Sequence, residues 1–348
     1  MDKIYDRYNP FHARLKDRFI INKPGSQKET WHIVLDISGS GIKYKVGDSV
    51  AILASHDPSL VKKTLEAIKL SPDEQIICKK TKKPYSLEQY LTAHTSITRL
   101  PKSLTEEPYE LWDYALDNPL ALSAQQLVEL LPPLLPRFYS IASAQESSSS
   151  EIHLTVALTT FETRGHKRLG VGTHFLCHLA QLGEEIPLYL QPTKDFTVPH
   201  PEADLIMVGP GTGIAPFRGF MQKRLHEKHS GKNWLFFGDQ RRATDFLYEE
   251  FWQDLERQGH LSLSLAFSRD QEEKIYVQHR MQQEAEKLWQ WLEKGAFVFV
   301  CGDASRMAKD VEETLLQVFM QQGNKTPEEA RSFLKDLRRS SRYLRDVY

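Results

Sequence analysis

The spacing of apolar positions changes part-way along this chain. From about Phe11 to Leu53, short alternating apolar runs are broken by turn residues: Trp31–Ile37, then Gly39-Ser40-Gly41, then Lys45–Leu53. The same texture returns between Pro136 and Leu190, in Arg137–Ala142, Ile152–Leu158 and Glu185–Leu190, with Ser147–Ser150 as a short polar hairpin loop. Alternation sends every second side chain to one face, so these stretches predict an antiparallel β-barrel. From about 56 to 135 the pattern is mainly helical, with recurring prolines from Pro58 to Pro133, and it reads as an insertion interrupting the barrel. From about 203 onward, apolar strands (Leu205–Val208, Trp234–Phe237, Leu261–Phe267, Ala296–Cys301) alternate with helical patterns. The helices are expected at about 215–229, 245–258, 278–293, 304–321 and 327–338. That rhythm predicts a parallel sheet with helices on both faces. The last helix opens with Thr326, Pro327 and Glu329, a capping box with proline at its first position. Two domains are expected, 8–199 and 200–348, with no internal repeat.

Composition adds little beyond a class. A chain of 348 residues can bury two cores, and 40% apolar with 26% charged residues is ordinary for a globular protein. A net charge of −1 gives no reason to expect nucleic-acid or anionic-membrane binding. Met1–Tyr8 has no apolar signal core, and no stretch approaches a ~20-residue apolar span. Cys78, Cys177 and Cys301 are too widely spaced for a disulfide framework or a zinc site. The expectation is a cytoplasmic protein without a metal.

Candidate chemistry sits at three places. Met207–Gly219 is a strand end with glycines at 209, 211 and 213, followed at once by a helix with Pro216 in its first turn. Glycines let a backbone approach a ligand, and a helix N-terminus offers free N–H groups, so this turn is a pyrophosphate seat. Gly170-Val171-Gly172-Thr173 opens a helix from His174 to Leu182 and is a second seat of the same kind. Arg137-Phe138-Tyr139-Ser140 begins a barrel strand. In a flavin site, tyrosine would stack on the ring, arginine would reach the pyrophosphate and serine would sit near the reactive nitrogen. Taken alone, the tetrapeptide is also an ordinary strand with an aromatic core residue.

Together with Ser268-Arg269, Lys274–Gln278, Val300-Cys301-Gly302-Asp303-Ala304, Arg306–Glu312 and the closing Arg345-Asp346-Val347-Tyr348, these motifs occur in an order that resembles a known family. The chain resembles the reductase half of the diflavin reductases within the ferredoxin–NADP reductase superfamily, most closely the flavoprotein components of NADPH-dependent sulfite reductases. The resemblance covers about Asn9 to Tyr348. It implies FAD bound by Arg137, Phe138, Tyr139 and Ser140, by Thr155, Val156 and Ala157 on the next strand, and by Gly170, Val171, Gly172 and Thr173. Thr92 matches a minor FAD contact. Phe161 stands where the family usually has tyrosine, so stacking remains there without a hydroxyl contact. It further implies that Gly211, Thr212 and Gly213 carry the NADPH pyrophosphate. Ser268, Arg269, Lys274, Ile275, Tyr276, Val277, Gln278 and Asp310 would form the rest of the nucleotide site, several of them gripping the 2′-phosphate. Ser140, Cys301 and Asp346 would surround the point of hydride transfer, and Tyr348 would stack over the flavin. For Cys301 a buried strand-end residue is the rival reading.

The implied activity is hydride transfer from NADPH to FAD and single-electron transfer onward. The family's flavodoxin-like FMN domain is missing ahead of the barrel, so either the acceptor is another molecule or the chain is a fragment. The acceptor expected is a sulfite reductase haemoprotein, a flavodoxin-like or a ferredoxin-like protein. Two alternatives stay open: a stand-alone flavodoxin or ferredoxin reductase, and a non-catalytic assembly subunit that keeps the fold.

Overall fold

The structure is a computed structural model, and it describes residues 5–348. The first half is built on β1 (Phe11–Ile20), β2 (Thr30–Asp36) and β3 (Ser49–Ile52). A small hairpin, β4 (Gln75–Ile77) and β5 (Pro84–Ser86), lies inside the helical insertion. The chain returns to the barrel with β6 (Arg137–Ser140) and β7 (Glu151–Ala157). A polar hairpin, β8 (Thr160–Thr163) and β9 (His166–Leu169), precedes the last barrel strand, β10 (Glu185–Gln191). The six barrel strands form one antiparallel sheet in the order β6-β3-β10-β1-β2-β7. Its two edges meet through the Ile141–Leu154 bridge, which closes the barrel and removes the open edge. Alternate residues fill the inside, among them Ala13, Leu15, Ile33, Leu35, Val50, Ile52, Ile152 and Leu154.

The insertion folds as four helices, Pro58–Ile68, Leu87–Ala93, Leu111–Asp117 and Ala124–Leu130, around its own apolar cluster. Its starts are chemically marked. Asp57 caps the first helix with Pro58 behind it, and Ser86 with Gln89 and Ser123 with Gln126 make capping boxes. Arg168 on β9 is buried between Glu110 and Asp113, which ties the polar hairpin to the insertion.

The second half is a parallel sheet of β11 (Leu205–Val208), β12 (Asn233–Asp239), β13 (Ser262–Phe267), β14 (Phe297–Gly302) and β15 (Tyr343–Val347). The spatial order is β13-β12-β11-β14-β15, so the chain winds outward from β11 and then crosses to its other side. The switch point lies between the ends of β11 and β14, where ligands bind in sheets of this kind. Both faces are apolar. Met207, Leu235, Phe237 and Phe299 pack on one side, and Ile206, Val208, Trp234 and Val298 on the other.

Several elements depart from the sequence expectation. The helix expected at 278–293 is two, Val277–Gln283 and Ala285–Glu293, broken at Glu284. The helix expected from 304 starts at Met307, because Asp303 accepts from the Arg306 amide and the Ser305 hydroxyl and holds a turn first. The helix expected at 245–258 spans Glu249–Arg257, entered through Tyr248 in a left-handed conformation. The one expected from His174 starts at Val171 and ends as a π-turn at Leu179. Strand β15 and the β8–β9 hairpin were not expected at all.

One buried carboxylate ties the halves together. Asp245 accepts from Asn22 Nδ2 at 2.9 Å, from the Ser26 hydroxyl and from the Arg241 amide at 3.1 Å. Asp245→Ala strands these donors, and roughly 3 kcal/mol of stability is expected to go with them. Urea unfolding checks it: an unchanged midpoint would mean that the tie carries no stability.

Candidate functional site

A cavity of about 280 Å³ opens where the β6 and β7 edges of the barrel face the β11 turn. Strand β6 supplies Arg137, Phe138, Tyr139 and Ser140, and β7 supplies Thr155, Val156 and Ala157. Thr173 lines it from the 170–173 turn, and Thr212, Ala215 and Tyr348 line it from the parallel-sheet side. Residue 172 has to be glycine. A Cβ there would stand 2.5 Å from Arg137 Cγ and 2.8 Å from the Tyr139 hydroxyl. The turn is fixed by Thr173, whose hydroxyl donates to the Gly170 carbonyl at 3.0 Å and accepts from the Thr159 amide at 3.1 Å. Two rings border the cavity with their surface open: Phe138 is 55% and Tyr348 65% exposed. Unpaired aromatic faces beside a guanidinium fit a flat ring system carrying a diphosphate.

Ser140, Cys301 and Asp346 come together at the inner end. The Ser140 hydroxyl donates to Asp346 Oδ2 at 2.7 Å, across the gap between barrel and parallel sheet. Cys301 and Asp346 are register partners on β14 and β15. Burial pushes the Cys301 thiol well above its ordinary value, the neighbouring Asp346 carboxylate pushes the same way, and contact with Ser140 opposes both weakly. The thiol is therefore held protonated.

Tyr348 is anchored, not frayed. Its amide donates to the Gly302 carbonyl and its carbonyl accepts from the Ala304 amide, each at 3.1 Å, and its phenol bonds the Thr212 hydroxyl at 2.8 Å. The ring face is open, but the hydroxyl end is packed beside Thr212, and this local burial raises the phenol above its usual range, so it stays neutral.

A second cavity of about 410 Å³ lies on the other side of the same turn. Gly211 lines it, with Ser268, Tyr276, Val277, Gln278 and Asp310. Gln278 Nε2 donates to Asp310 Oδ2 at 3.1 Å. Gly213 is packed onto β14 so closely that a Cβ would come within 2.1 Å of the Cys301 carbonyl oxygen. Arg269 and Lys274 do not line the cavity. They are exposed on the adjoining loop, where Arg269 Nη1 donates to Gln27 Oε1 at 2.6 Å. Ile275 packs against the sheet core.

Thr92, Phe161 and Val171 also fall elsewhere, and Thr212, expected at the NADPH pyrophosphate, lines the first cavity and not the second. Thr92 sits on a helix of the insertion and its hydroxyl donates to the Glu88 carbonyl at 2.7 Å, so the structure does not bring it to either cavity. Phe161 lies on β8, 49% exposed, and does not line the first cavity. Val171 faces a small polar pocket behind the 170–173 turn. Sequence reasoning missed Lys28, which reaches from the barrel half to Asp239 at 2.7 Å in the second cavity. It also missed Arg306 in that cavity and Thr159 and Ala215 in the first. Arg306 stood inside a quoted motif, whereas nothing about Lys28 marks it in the sequence.

Among the described residues no group of three potential ligands forms a metal site, and no helix is long and apolar enough to cross a membrane. The three cysteines are free, and their environments separate them. Burial works to raise the Cys78 thiol, but hydrogen bonds from Thr81, the Lys80 amide and Tyr90 outweigh it and bring the group to about 7. Burial pushes Cys177 up to about 12. Only the thiolate alkylates, so iodoacetamide at pH 8 is expected to modify Cys78 first and leave Cys177 and Cys301 intact in the folded protein. Peptide mass mapping checks the order, and early loss of Cys301 would contradict the geometry.

Comparisons with known proteins agree with this layout. Residues 4–175 match the model of an FAD binding domain, in two overlapping pieces, and residues 207–313 match an oxidoreductase NAD-binding domain. Sulfite reductase [NADPH] flavoprotein alpha-components are similar along almost the whole chain. Those of Mannheimia succiniciproducens and Bacillus subtilis are 40% and 39% identical over 99% of this chain and 62% of their own length. That of Vibrio cholerae is 41% identical over 99% of this chain and 60% of its own. The chain thus spans about three fifths of the length of these relatives. It carries an FAD binding domain followed by an oxidoreductase NAD-binding domain, and along almost its whole length it is similar to sulfite reductase flavoprotein alpha-components.

Proposed function

We propose that the chain takes hydride from NADPH onto FAD and passes the electrons singly to a protein acceptor, as a sulfite-reductase-type flavoprotein component working with a haemoprotein. One observation carries the reading. The two cavities share a wall, the Pro210–Thr212 turn, so a ring in one and a nucleotide in the other meet at Ser140, Cys301, Asp346 and Tyr348. Intact pairing at that junction favours an enzyme over a subunit that only keeps the fold. The acceptor's identity rests on the relatives' names, each of which reads as a sulfite reductase flavoprotein. Three free cysteines fit a reducing cytoplasm. The division into units is placed at 199/200, between the end of β10 and the start of β11.

FAD, when bound, supplies the step from two-electron to one-electron chemistry. The protein's part is position. Arg137 and the Gly170–Thr173 turn hold the diphosphate, and Phe138, Tyr139 and Tyr348 offer ring faces. Gly211, Thr212 and Gly213 seat the pyrophosphate of NADPH. Ser268, Tyr276 and Gln278, with Arg269 and Lys274 closing over from their loop, take the 2′-phosphate. With flavin in the first cavity, the Tyr348 ring would stand where a nicotinamide has to stack and would have to yield that place to it. Ser140 and Asp346 orient the partners, and the neutral Cys301 thiol keeps a second negative charge out.

Purified protein is expected to carry about one FAD per chain. Arg137→Ala should empty the site, since a charge-assisted bond of this kind contributes ~1.5–3 kcal/mol. Cofactor release and chromatography measure it; full occupancy in the variant would remove Arg137 from the diphosphate. Arg269→Ala with Lys274→Ala should raise the KM for NADPH roughly ten- to a hundred-fold and leave NADH turnover nearly unchanged. Equal losses with both nucleotides would mean that these side chains do not read the 2′-phosphate. Coupling to sulfite reductase haemoprotein, compared with a flavodoxin and a ferredoxin as acceptors, tests the partner.

A further inference from the structure

Five side chains form an unbroken line of hydrogen bonds from the protein surface to the flavin cavity. Glu151 stands at the outer end, beside Lys16, with 22% of its side chain exposed. His153 Nε2 lies 2.9 Å from Glu151 Oε2, and His153 Nδ1 lies 3.0 Å from His32 Nε2. His32 Nδ1 is 2.9 Å from the Tyr248 hydroxyl, which is 2.7 Å from Thr155 Oγ1. Thr155 lines the cavity. The strands make this spacing possible: His32 on β2 is the register partner of Thr155, and His153 is two residues away on the same face of β7. Tyr248 enters from the other half of the molecule, on the left-handed residue ahead of its helix.

The hydrogens in this line have one direction. Burial, with the Arg218 guanidinium nearby, lowers both imidazoles, His32 to about 3, so both are neutral near pH 7. The Glu151 carboxylate only accepts, so His153 carries its hydrogen on Nε2 and accepts at Nδ1. His32 then donates from Nε2 and accepts at Nδ1. Tyr248 donates to His32, and Thr155 donates to Tyr248. The Thr155 oxygen thus meets the cavity as an acceptor. Arg218 stands 5.2 Å from the Tyr248 ring centre and disfavours any resting positive charge on the line. Such a line conducts protons without storing them.

We propose that Thr155, Tyr248, His32, His153 and Glu151 form a proton path between the flavin cavity and solvent. The proposal rests on the cavity holding flavin. A hydride that arrives from NADPH and departs as two single electrons leaves one proton behind in the cavity. Thr155 Oγ takes that proton and gives its own to Tyr248. Tyr248 passes its hydrogen to His32 Nδ1, His32 passes the one on Nε2 to His153 Nδ1, and His153 passes the one on Nε2 to Glu151. One proton enters, one leaves to solvent, and rotation of the hydroxyls with tautomer exchange in the imidazoles resets the line.

Nitrogen-15 NMR of the flavin-free protein reads the direction independently of turnover. Both histidines should appear as neutral Nε2–H tautomers at pH 7, and a charged ring or an Nδ1–H tautomer at either position overturns the path. Tyr248→Phe keeps the ring under Arg218 and removes the link. Glu151→Gln keeps a hydrogen-bond acceptor for His153 but removes the carboxylate that takes the proton, at the surface, where folding is least at stake. With ferricyanide as acceptor and a pH-indicator dye, each flavin-loaded variant should release its proton about a hundredfold more slowly than the parent, the lower end of what a positioned proton-transfer group contributes. It should also show a larger solvent deuterium effect. Release at the parent rate, with flavin bound, overturns the path alone. A parent protein that binds no flavin overturns the proposed function and the path with it.

Discussion

The closeness of the β11 turn to the end of β14 sets the site. With Gly213 against the Cys301 carbonyl, no methyl group fits between the two strand ends at the switch point. That contact fixes where Thr212 stands, and Thr212 holds the ring of Tyr348. Tyr348 in turn is pinned by Gly302 and Ala304, which continue from β14. The wall between the two cavities is therefore a closed circuit of short contacts. Thr212, Gly213 and the two strand ends held this way lose little further freedom on binding a ligand, which is what catalysis by positioning requires, and the Thr212–Tyr348 bond is the one link that has to open for a nicotinamide.

The circuit would be useless if the barrel could drift from it. Two polar links prevent that. Ser140 reaches Asp346 at the mouth of the site, and Asp245 gathers Asn22, Ser26 and Arg241 at the other side of the seam. Lys28 adds a third, to Asp239, whose carboxyl burial would otherwise raise further. Polar links suit this seam because they fix distance and angle, whereas apolar packing alone tolerates sliding.

Much of this was legible because it depends on local pattern. The period of Leu205–Val208 and the glycines after it marked a strand running into a tight turn, and Arg137–Ser140 is a strand of the barrel, as its alternation implied. What was illegible depends on distant partners. Strand β15 is five residues with Arg345 and Asp346 in the middle, and it is a strand only because β14 pairs with it. The β8–β9 hairpin is polar on both faces, so it has no alternation to read; only Arg164-Gly165, both at positive φ, marks its turn. Thr92 resembled a cofactor contact in sequence, but a threonine inside a helix has a nearer acceptor in the carbonyl four residues back. The place of Tyr248 in the line was illegible, since it comes from meeting His32 and Thr155 across the seam.

Charge at the junction is rationed by burial. Cys301 and Tyr348 both sit where ionisation is disfavoured, and the negative group beside them, Asp346, raises each further. A second anion there would face unscreened repulsion in a poorly solvated space. The junction therefore offers one carboxylate, oriented by Ser140, with neutral groups around it. In the proposed reaction a nicotinamide giving up hydride gains positive charge, and one fixed carboxylate has the sign and the preorganisation to favour that change. Exchanging the thiol for an acid would double the charge but lose the neutral contact that lets Ser140 and Asp346 keep their geometry. Cysteine at 301 is thus best understood as a small polarizable filler whose value lies in remaining uncharged.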